Sequence, residues 1–174
     1  MHKVQMLHKQ HKFFLIALME PFQHFKRIQQ HKRKLGMQYA NFNCNGKIWF
    51  FVNDNIDMDI LETTEQQITI KLYFHDMDKT MVVKVVNAKC DATDRLALWD
   101  SLYCMSNGMT SPWLLGGDFN VIMNEDERIG GLLLYPQEYE DFTFCINSCE
   151  LSEISFKCSP FTWWNGRTNK ECIF

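Results

Sequence analysis

No CxxC pair occurs among the seven cysteines, no internal repeat or low-complexity tract interrupts the 174 residues, and no apolar run approaches the length of a membrane span. Each absence excludes something. Cys44, Cys90, Cys104, Cys145, Cys149, Cys158 and Cys172 are odd in number and lack paired spacing, so a disulfide framework is not expected. They read as free thiols in a reducing, intracellular compartment, with Cys145 and Cys149 four apart on one buried helix face. Phe13-Phe14-Leu15-Ile16-Ala17-Leu18-Met19 follows a basic start, but Glu20-Pro21 stands where a leader would need small residues for cleavage. The run is also too short to cross a bilayer, so it reads as a buried strand and no membrane partner is expected.

Acid is scarce at one end. Residues 1–36 hold eight Lys/Arg, five of the six histidines and a single carboxylate, Glu20. The net charge of −3 therefore hides a basic segment and an acidic remainder. A basic end either steers toward polyanions or is simply a solvated helix face. With 46% apolar residues the chain is long enough to bury a core, and one domain over residues 1–174 is expected.

The hydrophobic pattern alternates between helix and strand periods. Residues 2–11 have helical spacing and 13–19 form a strand. Phe22, Phe25, Ile28 and Leu35 lie near one face of a helix ending at Gly36. Met37–Phe42 and Lys47–Val52 flank Asn45-Gly46, a strong hairpin signal. Ile56, Met58 and Ile60, then Ile68, Ile70, Leu72 and Phe74, alternate with polar residues and read as half-buried strands. Met81–Val86 reads as a buried strand. Thr93 or Asp94 is expected to cap a helix carrying Leu96, Leu98, Trp99 and Leu102. Trp113–Leu115 is a strand, Pro136 to about Cys149 a helix, and Phe161–Asn165 a last strand. The fold class is α/β, with two mostly antiparallel sheets flanked by helices.

The chemistry concentrates in Pro112-Trp113-Leu114-Leu115-Gly116-Gly117-Asp118-Phe119-Asn120. A buried strand ends in two small residues, then presents a carboxylate and an amide two apart. Such a strand end suits a metal-bound phosphate and a water, and the glycines permit close approach. Glu20 ends the first buried strand as Asp118 ends a later one. Two acids at adjacent strand ends can share one Mg²⁺ (or Mn²⁺) and its waters, with Asn120 orienting a phosphate oxygen. The cluster Asn124-Glu125-Asp126-Glu127 reads as a solvated loop, and Arg128 beside Gly130-Gly131 is a further phosphate contact candidate. Lys26, Arg27, Lys32, Arg33 and Lys34 could meet DNA phosphates, while Trp163 and Trp164 divide between base stacking and the core.

These residues carry a resemblance. Gly117-Asp118-Phe119-Asn120 is similar to the Gly-Asp-x-Asn motif of the exonuclease–endonuclease–phosphatase superfamily, the deoxyribonuclease I-like fold. "LIALMEPF", "ITIKLYF", "VVKVVNAKCDATDRLALWDSL", "PWLLGGDFNVIMNEDERIGG" and "FTWWNGRTNKECIF" together resemble the endonuclease domain of plant non-LTR (LINE-type) retrotransposons. The resemblance implies a two-sheet sandwich with a metal site at one rim and hydrolysis of DNA phosphodiesters. Glu20 would hold the metal, Asp118 would orient or activate water, Asn120 would contact the phosphate, and Thr162-Trp163 would be structural. In a complete element the partner would be a reverse transcriptase and the setting nuclear.

The departures from the family pattern matter too. The family opens with a strand carrying Trp-Asn and continues to Arg-Leu-Asp and Ser-Asp-His strands. The chain is expected to lack these, making the sandwich incomplete at both ends and exposing sheet edges. Asn87 stands where the family has tyrosine, and as a substrate-binding amide it lacks the phenol's reach and acidity. A general acid–base group contributes about 10²–10⁴-fold, or roughly 3–5 kcal/mol. Losing one leaves an impaired or inactive enzyme, the alternative being a non-catalytic remnant of a retroelement gene.

Overall fold

A computed structural model of the chain describes residues 1–131, 135–155, 161, 165–167 and 173. It divides into two compact units, Met1–Ala88 with Met109–Phe119, and Lys89–Gly108 with Asn120–Phe174.

The first unit opens with α1 (His2–His11), β1 (Leu15–Met19), a single 3₁₀ turn and α2 (Ile28–Leu35). Three strands follow: β2 (Tyr39–Phe42), β3 (Ile48–Val52) and β4 (Ile56–Thr63). β5 (Gln67–Phe74), β6 (Lys79–Asn87) and β7 (Trp113–Asp118) complete it. One sheet has the order β1-β3-β2 and the other β4-β5-β6-β7. Every pairing is antiparallel except β6 with β7. This is the expected two-sheet, mostly antiparallel arrangement.

β3 is the spine of the three-stranded sheet, and its whole sequence Ile48-Trp49-Phe50-Phe51-Val52 is buried. Period-two alternation divides it between two cores. Ile48, Phe50 and Val52 meet Ile68, Ile70 and Leu72 of β5 and Val83 and Val85 of β6, which fastens sheet to sheet. Trp49 and Phe51 point the other way, into a second core with Ile28 and Leu35 of α2. α2 stops at Gly36, whose φ of 70° suits the left-handed end of a helix.

Several sequence expectations need correction. Phe22 is not on the inner face of a helix: it precedes the 3₁₀ turn and is 90% exposed. β5 is not half-buried, because Gln67 and Thr69 on its second face are buried as well. That face holds Lys84, fully buried, whose ammonium reaches Glu62 (3.1 Å) and Gln67 (2.8 Å). Burial pulls the Lys84 pKa down, and the Glu62 carboxylate opposes the shift.

In the second unit α3 (Ala92–Gly108) packs on α4 (Glu140–Ser148). The cap of α3 is Asp91 rather than Thr93 or Asp94: its carboxylate accepts the N–H groups of both (2.9 and 3.3 Å). The expected helix from Pro136 begins as a 3₁₀ turn before α4. Trp99 stacks on Phe142 with ring centroids 5.1 Å apart. Cys145 and Cys149 are buried in this core as expected. Residues 162–164 of the expected last strand lie outside the described residues. No described helix is long and apolar enough to cross a membrane.

Ile70→Ala, at the centre of the sandwich, is expected to lower stability by roughly 2–5 kcal/mol, read as a drop in urea midpoint. Burial and the neighbouring Cys149 push the Cys145 thiol up to about 12. In native protein at pH 8, iodoacetamide is therefore expected to alkylate Cys44, Cys90 and Cys104 and to spare Cys145 until denaturant is added, as read by peptide mass spectrometry.

Candidate active site

Strand direction decides which side chains share a rim. Phe14, Thr80 and Pro112 stand at or just before the starts of β1, β6 and β7, and all three line one cavity of about 540 Å³ in the first unit. The three strands therefore set out from the same end of the sandwich and finish at the other. Glu20 follows the last residue of β1, Asn87 is the last of β6, and Asp118 is the last of β7. Glu20 and Asp118 each lie six residues beyond the cavity residues Phe14 and Pro112, about 20 Å along extended chain.

Hydrogen bonds trace this far rim. The Glu20 N–H donates to the Lys47 carbonyl (2.7 Å), and the Lys47 N–H donates to Asn45 Oδ1 (3.1 Å). Asn45 Nδ2 donates to the Glu65 carbonyl (3.0 Å). Next along the rim, the Asn87 N–H donates to the Gln66 carbonyl (2.8 Å) and the Ala88 N–H to the Asp118 carbonyl (2.8 Å). Asn87 and Asp118 are direct partners in the parallel β6–β7 register. Glu20, Asn87 and Asp118 are thus brought to one rim of the first unit.

Their environments differ. Glu20 is partly exposed, and its Oε1 accepts from Lys47 Nζ at 3.3 Å. Its φ of 45° is left-handed, an unusual conformation for a side chain and more so before proline. Asp118 is exposed. Asn87 is 5% exposed, and its Oδ1 is buried with no hydrogen-bond partner among the described residues. A buried acceptor left unsatisfied is costly, so Asn87 Oδ1 is a candidate partner for a bound water or ligand.

The two glycines do different work. At Gly117 φ is +146°, and a Cβ would collide with the Val86 carbonyl of the paired strand. At Gly116 a Cβ would meet nothing within 4 Å. Only Gly117 is needed for the close approach that seats Asp118 beside Asn87.

Asn120 belongs to the second unit. Its φ of 50° is a left-handed conformation that asparagine tolerates. Its carbonyl accepts from Arg95 Nη1 (3.3 Å), which also bonds the carbonyls of Lys89 (3.1 Å) and Cys90 (2.6 Å). Buried Arg95 thereby ties the start of α3 to the segment after Asp118. Asn120 and Arg128 both line a cavity of about 440 Å³ in this unit.

Sequence reasoning missed Asn43 and Lys47. Asn43 is fully buried: its Nδ2 bonds the Thr64 and Glu65 carbonyls (both 3.0 Å), and its Oδ1 accepts the Ile48 N–H (2.9 Å). The run Asn41-Phe42-Asn43-Cys44-Asn45-Gly46 was the available signal, since asparagines bond backbone around turns. Lys47 is visible as a partner of Glu20 only once β1 and β3 are paired.

The oxygen donors of the rim suit a hard divalent cation: the carboxylates of Glu20 and Asp118 and the orphaned carbonyl of Asn87. Among the described residues, no group of three His, Cys, Asp or Glu side chains is placed to hold a metal ion.

No protein-family model and no curated protein matches the chain. Solved structures do. A mannosyl-6-phosphatase of Bacteroides thetaiotaomicron superposes with a TM-score of 0.52 at 15% identity, over 68% of this chain and 55% of that one. An endonuclease/exonuclease/phosphatase family protein of the same organism does so with a TM-score of 0.52 at 14% identity, over 68% and 53%. The chain spans about half the length of these structures.

Gly117→Ala is expected to cost about 2–4 kcal/mol in urea denaturation, against less than about 0.5 kcal/mol for Gly116→Ala. Equal effects would refute a special role for Gly117. The two-sheet sandwich described here is the fold of the endonuclease/exonuclease/phosphatase proteins.

Proposed function

We propose that this chain is a hydrolase domain acting on DNA phosphodiesters with one divalent cation, of the kind carried by plant LINE-type elements. The observation that supports the reading is the common rim: Glu20, Asn87 and Asp118 end strands that leave one end of the sandwich together. A Mg²⁺ or Mn²⁺ ion, when bound, would neutralise phosphate charge and lower the cost of the developing transition state. The chain's own groups do the rest. Glu20, whose carboxylate pairs with Lys47, would hold the cation. Exposed Asp118 aligns a water and accepts its proton. The Asn87 side-chain amide donates to a phosphate oxygen.

The rate is expected to be low. An amide at 87 has neither the reach nor the acidity of a phenol. His75 lies beside Asp76 and Met77, which line the cavity at the opposite end from Asp118. The second reading is a non-catalytic remnant of a retroelement gene.

Nicking of supercoiled plasmid with Mg²⁺ separates the readings. For an enzyme, Asp118→Ala reduces nicking about 10²–10⁴-fold, and Glu20→Gln raises the Mg²⁺ concentration needed for half-maximal rate. Parent protein that nicks no faster than Asp118→Ala establishes the remnant. Release of phosphate from a hexose 6-phosphate with plasmid left intact would move the substrate to phosphomonoesters.

A further inference from the structure

The turn after Glu20 presents an unusual surface. Glu20 and Phe22 both have left-handed φ (45° and 48°) and flank Pro21. Phe22 is 90% exposed, the highest exposure among the large apolar side chains described. Its neighbour Phe25 packs instead, against Phe42 at 5.2 Å and His24 at 4.3 Å. A phenylalanine held outward on a strained, proline-stiffened turn contributes nothing to the core.

The surroundings have one sign of charge. No Asp or Glu occurs between Glu20 and Asp54. α2 turns Ile28, His31 and Leu35 inward and leaves its other faces to solvent. Lys26, Arg27, Arg33 and Lys34 are exposed and enter no salt bridge among the described residues. Exposed cations without counter-charges, on the segment that directly follows a bare aromatic ring, complement a strand with phosphates on one side and uncovered bases on the other.

We propose that Phe22 is a base-stacking residue and that Lys26, Arg27, Arg33 and Lys34 form a phosphate track beside it, so that this surface receives single-stranded nucleic acid. The inference rests on the phosphodiester reading and names its substrate class. Phe22 lies two residues from Glu20, at most about 7 Å along the chain, so a base stacked there sets the adjoining phosphate at the rim. Duplex DNA hides its base faces and would have to be unstacked first.

The test measures binding without turnover. Fluorescence anisotropy of a labelled dT₁₂ and a labelled 12-base-pair duplex is followed in EDTA across a salt series. The single strand is expected to bind tighter than the duplex. Phe22→Ala should weaken it roughly tenfold, while Phe22→Trp retains it. The triple variant Arg27→Gln/Arg33→Gln/Lys34→Gln should reduce the log–log salt slope by about 2. These side chains are exposed, and circular dichroism checks that each variant keeps the parent's fold. Unchanged affinity in Phe22→Ala, or tighter binding of the duplex, overturns the proposal. Because no hydrolysis is read, Phe22-dependent binding by a protein that nicks nothing would keep this surface and remove the nuclease reading.

Discussion

The first unit depends on the packing of β3 against β5 and β6. Ile48, Phe50 and Val52 interdigitate with Ile68, Ile70, Leu72, Val83 and Val85, all nearly inaccessible to water. This contact fixes the spacing of the two sheets and the direction in which each strand crosses the core. Once β1 runs beside β3 and β7 beside β6, their carboxyl ends cannot emerge anywhere but at the rim where Glu20 and Asp118 stand. The site is a by-product of apolar packing, and the polar groups at the rim only refine it.

That refinement is a set of amides. Asn43 and Asn45 tie the β2–β3 turn to the carbonyls at 64 and 65, and the Gln66 carbonyl takes the Asn87 N–H. Fully satisfied, such bonds stiffen a rim that loops would otherwise leave loose. Asn87 breaks the pattern with a buried oxygen left without a donor. Asn43 and Asn45 are thus satisfied by backbone, while the Asn87 oxygen stays available where a ligand is proposed.

Much of this was readable from pattern. The strands β4, β5 and β6, the Asn45-Gly46 turn and the Gly-Asp-x-Asn strand end all appear where expected because each is a local preference. Phe22 failed because helical spacing to Ile28 and Leu35 says nothing about whether the helix has begun. The left-handed turn at Glu20–Phe22 precedes the 3₁₀ turn and α2, and leaves the ring outside. Gln67 and Thr69 failed because polar side chains mark a solvated face only where nothing covers it, and here a buried Lys84 and Glu62 satisfy that face from within the sheet.

Period, turn chemistry and the placing of Glu20 and Asp118 at strand ends are properties of short segments, and the amino-acid sequence determined them alone. Strand order, the parallel pairing of β7 on β6 and the placing of residues 20, 87 and 118 on one rim of the first unit came only with tertiary structure. These depend on which apolar faces meet across long stretches of chain. The same holds for the different demands on Gly116 and Gly117, which only the Val86 carbonyl distinguishes, because a neighbour's backbone is invisible to local propensity.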